Sequence, residues 1–323
     1  MPVARPNYTG VRVNALVTGA AGFIGSHLSS ALLDRGAEVT GLDCFTDYYP
    51  RALKEANLAV NQRRQGFRFV ETRIQDADLP RLLSGVTHVF HLAGQAGVRK
   101  SWGREFDVYT KDNVTATQRL LESLAATPIQ RFIYASSSSV YGDNVPLPFQ
   151  ENAYLQPLSP YGVTKLAAEH LANLYWANHG VPAVSLRYFT VYGPRQRPDM
   201  AFHRFFTAIH HGQPIQMYGD GEQTRDFTFV GDIVAATVAA ATKGEPGSVY
   251  NIGGGSRVSL NHVLELISQV VGHPVAVQRE PRQKGDMRHT YADTSRARRD
   301  LGFLPRVTLE EGLRAQHRWL QTS

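Results

Sequence analysis

The stretch Asn14–Gly25, NALVTGAAGFIG, decides the fold. Its first five residues are a short apolar run that reads as a strand, Asn14 to Thr18. Gly19, Gly22 and Gly25 follow with the spacing G-x-x-G-x-x-G. Phe23, Ile24, His27, Leu28, Ala31 and Leu32 then recur at helical spacing, and Gly36 ends that helix. Strand, glycine turn and helix in this order make an anion cradle. The free N–H groups at a helix start and the helix dipole favour a pyrophosphate, and a Cβ at the turn would hold the phosphates away. Gly19, Gly22, Phe23, Ile24 and Gly25 are therefore the expected phosphate-binding residues of a dinucleotide cofactor.

The alternation continues outward. Glu38–Asp43, Phe67–Glu71, Thr87–Leu92, Arg131–Ser136 and Ala183–Phe189 read as strands, with helical patterns between them at Phe106–Ala126 and Tyr161–His179. Repeated βαβ units of this kind predict an α/β fold, a doubly wound parallel sheet of the Rossmann type. Asp43 ends the second strand, 18 residues after Gly25. An acidic group there accepts from ribose hydroxyls and repels a 2′-phosphate, which favours NAD over NADP. After Phe189 the pattern changes. Gly193, Pro194, Pro198, Gly212, Pro214, Gly219 and Gly221 crowd a segment with little periodicity. A strand at Ser248–Ile252 and helices at Ser259–Val271 and Leu309–Leu320 come later. The expected organisation is a cofactor domain over 1–189, extended by 230–258, and a smaller C-terminal substrate-binding domain from 190–229 and 259–323.

Composition narrows the class. In 323 residues there are 34 Lys plus Arg, 28 Asp plus Glu and one Cys, a net charge of +6. Cys44 alone excludes an intramolecular disulfide framework and a Cys-rich metal site, and no metal is expected. The basic residues are scattered rather than striped, against nucleic acid. No apolar run reaches the ~18 residues of a membrane span, and MPVARPNYTG has no apolar leader core, so a cytoplasmic location is expected.

Tyr161 and Lys165, four apart, share one helix face, with Ser159 and Pro160 as cap and first residue. A phenol with an ordinary pKa near 10 is a poor base at neutral pH. A neighbouring ammonium and a positive nicotinamide are expected to lower it. Ser136–Ser139 sit at a strand end, where an open parallel sheet binds ligands. A hydroxyl there can hold a substrate oxygen while Tyr161 takes its proton.

With these residues in place, the chain resembles the extended short-chain dehydrogenases/reductases, and among them the NAD-dependent nucleotide-sugar epimerases. The resemblance runs through TGAAGFIG (18–25), HLAGQAGVR (91–99), the Asn113 helix, ASSSSVYG (135–142), YGVTK (161–165), RYFTVYGPRQRPDMA (187–201), GDGEQTRDFTFVGD (219–232) and KGDMRHTYAD (284–293). It implies tightly bound, recycled NAD and 4-epimerisation of a UDP-sugar through a transient 4-keto sugar. It further implies Tyr161 as base, Lys165 as its partner on the cofactor, Ser137 as the substrate hydroxyl, and Ile74 at the cofactor. Arg99, Ser138, Ser139, Thr190, Arg197, Arg225, Gln283 and Asp286 fall at substrate-binding positions. Arg225 resembles the Arg that pairs with the diphosphate, and Asp286 the acidic residue near the nucleoside. A homodimer packed through the helices at Phe106–Ala126 and Tyr161–His179 is implied too.

Dehydratases of the family place Asp-Glu where this chain has Ser138-Ser139, and the decarboxylases an acidic residue at 139. Thr190, Arg197-Pro198-Asp199-Met200, QAGVR (95–99), YYPRALKEANL (48–58) and Gln283 look like UDP-glucuronate 4-epimerases. A substrate carboxylate needs a hydroxyl and a guanidinium, which Thr190 and Arg197 would supply. UDP-glucose or UDP-N-acetylglucosamine 4-epimerases and UDP-glucuronate decarboxylases stay open as alternatives. One departure stands out: the family commonly has Asp-Ile after the third strand, and Arg73-Ile74 here forgoes the Asp contact to the adenine amino group.

Overall fold

The computed structural model describes residues 13–322. The stretch MPVARPNYTG, read above for a leader, lies outside the described residues. Strand β1 (Asn14–Thr18) passes through the glycine turn into helix α1 (Phe23–Leu33). The alternation runs on through β2 (Glu38–Asp43), α2 (Arg51–Gln62), β3 (Phe67–Glu71), α3 (Leu79–Leu83) and β4 (His88–His91). The expected helix at Phe106–Ala126 is composite: α4 (Phe106–Tyr109), a wide π-helical stretch at Thr110–Thr115, and α5 (Ala116–Ala125). After it come β5 (Arg131–Ser137), α6 (Pro160–His179) and β6 (Ala183–Tyr188). Helix α1 stops before Gly36, whose φ of +79° belongs to the following turn.

The segment beyond Phe189 is more regular than its sequence suggested. It holds β7 (Val191–Tyr192), α7 (Ala201–His210), β8 (Ile215–Tyr218), β9 (Thr224–Asp226), β10 (Thr228–Phe229) and α8 (Val230–Lys243). Then come β11 (Val249–Ile252), β12 (Arg257–Ser259), α9 (Leu260–Val271), β13 (Val277–Glu280), α10 (Ser295–Leu301) and α11 (Leu309–Gln321). Phe202, Phe205 and Phe206 drive α7 inward, all buried at helical spacing.

Seven strands form one parallel sheet in the order β11-β6-β5-β4-β1-β2-β3. Helices cover both faces, so central strands are buried throughout rather than alternating between buried and exposed. Ala15, Leu16 and Val17 are fully buried, as is every residue of β6. One face packs on α1 and α8 through Leu28, Leu32, Ile233 and Val234. The other packs on α5 and α6 through Leu120, Leu121, Ala168 and Ala172. A third core joins α7, β8, α9 and α11 through Phe206, Ile215, Ile267 and Leu313. The chain winds one way from β1 to β3 and the other from β4 to β6. At that reversal the carboxyl ends of β1, β4 and β5 open onto a cleft, the place where such sheets bind ligands.

Candidate active site

The cofactor side of the cleft is lined by Gly19, Gly22, Phe23, Ile24, Gly25, Asp43 and Ile74. Gly22 caps α1 with no side-chain bond, and the first turn holds no acidic residue, so its amide donors and dipole stay available to an anion. A Cβ on Gly25 would stand 2.1 Å from the Gly19 carbonyl oxygen, so the turn closes only around glycine. Asp43 accepts from the Ala21 and Phe45 amides at 3.1 and 3.0 Å. It therefore braces the loop as well as facing the cavity, and each oxygen keeps a lone pair for a ribose hydroxyl. These features fit a dinucleotide. Arg73, the departure noted above, also lines this cavity and pairs with Asp112 at 3.1 Å.

The expected reacting residues come together where β5 ends and α6 begins. Ser159 caps α6 by accepting from the Gly162 amide at 3.1 Å, with Pro160 in the first turn, as expected. Tyr161 and Lys165 thus face one cavity together with Ser137, Ser138, Ser139 and Thr190. The Ser137 hydroxyl shares that cavity with the Tyr161 phenol and favours its ionised form. One expectation is corrected here. Burial pushes the Tyr161 phenol above its ordinary value, and the groups that oppose this are Ser137 and Arg197, not Lys165. Lys165 is only 7% exposed, and burial pulls its ammonium from 10.5 down to about 7, with Glu169 working the other way. Its Nζ lies 4.4 Å from the centre of the Tyr134 ring and, among the described residues, donates no hydrogen bond. The lysine is held in reserve rather than engaged with the phenol.

Beneath it runs a polar network that holds the strand ends in register. Glu169 takes two hydrogen bonds from Arg187, at 2.6 and 3.1 Å, and one from the Ser136 hydroxyl at 2.6 Å. Breaking such a buried pair costs about 3–5 kcal/mol. Arg187 continues to Tyr141 at 2.7 Å, and Tyr141 to Asn251 on β11 at 2.8 Å.

The substrate side is made of long side chains. Arg99 and Asp286 both line the cavity but bind each other, at 2.8 Å, with Arg99 4.2 Å from the Tyr218 ring centre. Arg197 is held by Asp199 at 2.9 Å. Arg225 donates to two backbone carbonyls, of Thr224 at 2.9 Å and Arg288 at 3.2 Å; among the described residues it forms no direct ion pair, though the charges of Asp286 and Asp143 act on it. Gln283 is not among the cavity-lining residues; its amide turns back to the Pro281 carbonyl at 3.2 Å. Tyr48, Asp112, Glu169 and Asp199 were not anticipated as site residues. Glu169 had a local signal, one turn after Lys165 on the same face. Tyr48 and Asp199 meet across 151 positions, which no spacing reveals.

Fold and cleft together define a dinucleotide-dependent enzyme, with a strand-end serine and a helix-borne phenol on one cavity. Residues 15–253 match the NAD dependent epimerase/dehydratase family, and the chain belongs to it. It is 45% identical over 302 residues to an uncharacterized UDP-glucose epimerase of Bacillus subtilis, covering 92% of this chain and 95% of that one. It is 37% identical to the UDP-glucuronate 4-epimerase of Thermodesulfobacterium geofontis, over 94% and 95% of the two chains. The structure of UDP-glucuronic acid 4-epimerase from Bacillus cereus in complex with UDP-glucuronic acid and NAD superposes with a TM-score of 0.94 at 42% identity. That match covers 96% of this chain and 99% of the other.

Proposed function

We propose that the chain inverts carbon 4 of UDP-glucuronate to give UDP-galacturonate, with NAD as resident cofactor. The observation that carries this reading is that Arg197 and Thr190 line one cavity with Tyr161. A cation beside the proton-transfer group suits a sugar whose reacting carbon 4 hydroxyl neighbours a carboxylate on carbon 5.

Gly19, Gly22, Phe23, Ile24 and Gly25 cradle the pyrophosphate, Asp43 takes the ribose hydroxyls, and Ile74 bounds the cavity. Bound there, NAD supplies removal and return of hydride at carbon 4. Tyr161 accepts the hydroxyl proton and later gives it back, and Ser137 orients the same oxygen. Lys165 keeps its donors for the cofactor. Arg225 meets the diphosphate, while Arg99, Asp286, Ser138 and Ser139 border the nucleotide sugar; Gln283, turned back to Pro281, would reach it only by changing partner. In the 4-keto sugar the bond from carbon 5 to its carboxylate can break. Its electron pair then passes into the ketone as an enolate, and CO₂ leaves. Thr190 and Arg197 hold that carboxylate so that the bond stays misaligned with the ketone. Epimerisation of UDP-glucose is the second reading, favoured by the charge that Asp199 already places on Arg197.

The test is incubation of purified protein with UDP-glucuronate, UDP-glucose and UDP-N-acetylglucosamine, with products identified by NMR. UDP-galacturonate is expected; turnover of the neutral sugars alone would overturn the choice. We also read the enzyme as a cytoplasmic homodimer built from a cofactor domain and an interleaved substrate domain. The exposed Val108, Val163, Leu174 and Trp176 on α4 and α6 support the dimer face. The lone Cys44 and the absence, among the described residues, of any helix long and apolar enough to cross a membrane accord with that location.

A further inference from the structure

Arg197 sits on a loop without regular structure, between Gly193 and Met200, where the neighbouring Arg195 has a φ of +64°. A long side chain on such a loop carries rotamer entropy that weakens any grip it makes. Here that freedom is already spent. Arg197 Nε donates to Asp199 Oδ1 at 2.9 Å and Nη2 to Asp199 Oδ2 at 3.1 Å. The Tyr48 hydroxyl donates to the same Oδ2 at 3.1 Å. Tyr48 is fixed in turn. Its ring centre is 4.9 Å from Lys100 Nζ and 5.8 Å from the Arg197 guanidinium carbon. A Cβ on Gly97 would lie 2.1 Å from its hydroxyl, so Gly97 leaves the space this oxygen fills.

Two of the five guanidinium N–H groups are thereby used, both on the Nε side. Among the described residues Nη1 donates to nothing, and Arg197 lines the substrate cavity with Tyr161 and Thr190. Tyr48 lines both the cofactor and the substrate cavities, and its loop begins at Asp43. We propose that Asp199 and Tyr48 are positioning residues that clamp the Nε edge of Arg197 and present its Nη1 edge to the carboxylate of the sugar. The proposal rests on the UDP-glucuronate reading and deepens it. The Arg197–Asp199 pair is close to neutral as a unit, so it recognises a carboxylate by directed donors more than by net charge. A grip of that kind fixes the carboxylate plane, which is what retention of CO₂ requires.

The test uses the NAD-loaded full chain as wild type, Asp199→Ala, Asp199→Asn and Tyr48→Phe. KM and kcat for UDP-glucuronate are measured, with the ratio of epimer to decarboxylated product by NMR. Asp199→Ala should raise KM about tenfold, as expected for a lost charge-assisted contact, lower kcat less than that, and increase the decarboxylated share. Asp199→Asn, which keeps an acceptor for Nε, should recover most of the loss. Tyr48→Phe should move both readouts in the same direction by a few-fold. If Asp199→Ala does not fold, the two conservative variants carry the test. A lowered KM in the Asp199 variants would mean that Asp199 competes for the guanidinium and would overturn the clamp. So would unchanged KM and product ratio in folded variants of an enzyme that turns over UDP-glucuronate. A wild type that turns over only neutral UDP-sugars overturns the substrate reading and the clamp together.

Discussion

The cofactor side of the cleft is drawn mainly from backbone and strand ends, whereas the substrate side is drawn from charged side chains that already hold one another. On the first side stand an uncapped helix start and a glycine turn with no room for a Cβ. On the second, Arg99 lies on Asp286 and Arg197 on Asp199, and Arg225 alone of these three forms no direct ion pair among the described residues. The first arrangement is built into the core and changes only with the fold. The second can exchange partners when a ligand arrives. A family that keeps one cofactor and changes sugars would need such a division.

Tyr161 stands between the two sides, so its removal should have the largest effect. Tyr161→Phe should lower kcat by about 10²–10⁴-fold with little change in NAD content or melting temperature. Gly25→Ala probes the backbone side. The added Cβ meets the Gly19 carbonyl, an overpacking worth about 1–3 kcal/mol. Purified protein should carry less NAD and melt at a lower temperature. Arg225→Ala probes the side-chain side and should raise KM by about ten- to a hundredfold, the worth of a charge-assisted bond to phosphate, with the melting temperature kept. If Arg225→Ala destabilised the protein as Gly25→Ala does, the contrast between the two sides would break.

The smallest effect concerns pH. Burial brings Lys165 from 10.5 down to about 7. Between those values the unfolded chain keeps a proton that the folded chain has released. Stability from this group therefore rises as pH increases from about 7 to about 10.5. Below pH 7 the buried cation is a cost. NAD-free Lys165→Met should be more stable than NAD-free wild type at pH 6, and melting curves should show that advantage shrinking by pH 9.5. A difference that stayed constant with pH would show that Lys165 is not desolvated.

Legibility in the sequence follows the same division. β1, β2 and β3 start and end where the sequence reading put them: β1 and β2 are buried runs, and β3, at the sheet edge, shows alternation instead, with Arg68 exposed between Phe67 and Phe69. The cap of α6, the glycine turn and the Ser137–Tyr161–Lys165 neighbourhood were readable because each rests on spacing within one or two elements. Helix α7 was missed although Phe202, Phe205, Phe206 and Ile209 carry its period; the flanking Gly and Pro suggested loops. The ion pairs could not be read at all. Arg99 and Asp286 are 187 positions apart, and the side chain that neutralises each arginine is chosen by tertiary geometry. That burial raises the Tyr161 phenol and lowers the Lys165 ammonium could not be read either: a shared helix face says nothing about how dry that face is.

The sheet order has a consequence for the making of the protein. Strands β6 and β11 are neighbours in the sheet, yet residues 189–248 separate them in the chain. During synthesis the β6 edge stays bare until Ile252 has left the ribosome. An open, fully buried-type strand is the kind of edge that recruits other chains. Conditions that slow elongation through that interval should therefore raise losses to aggregation more than the same delay after residue 252.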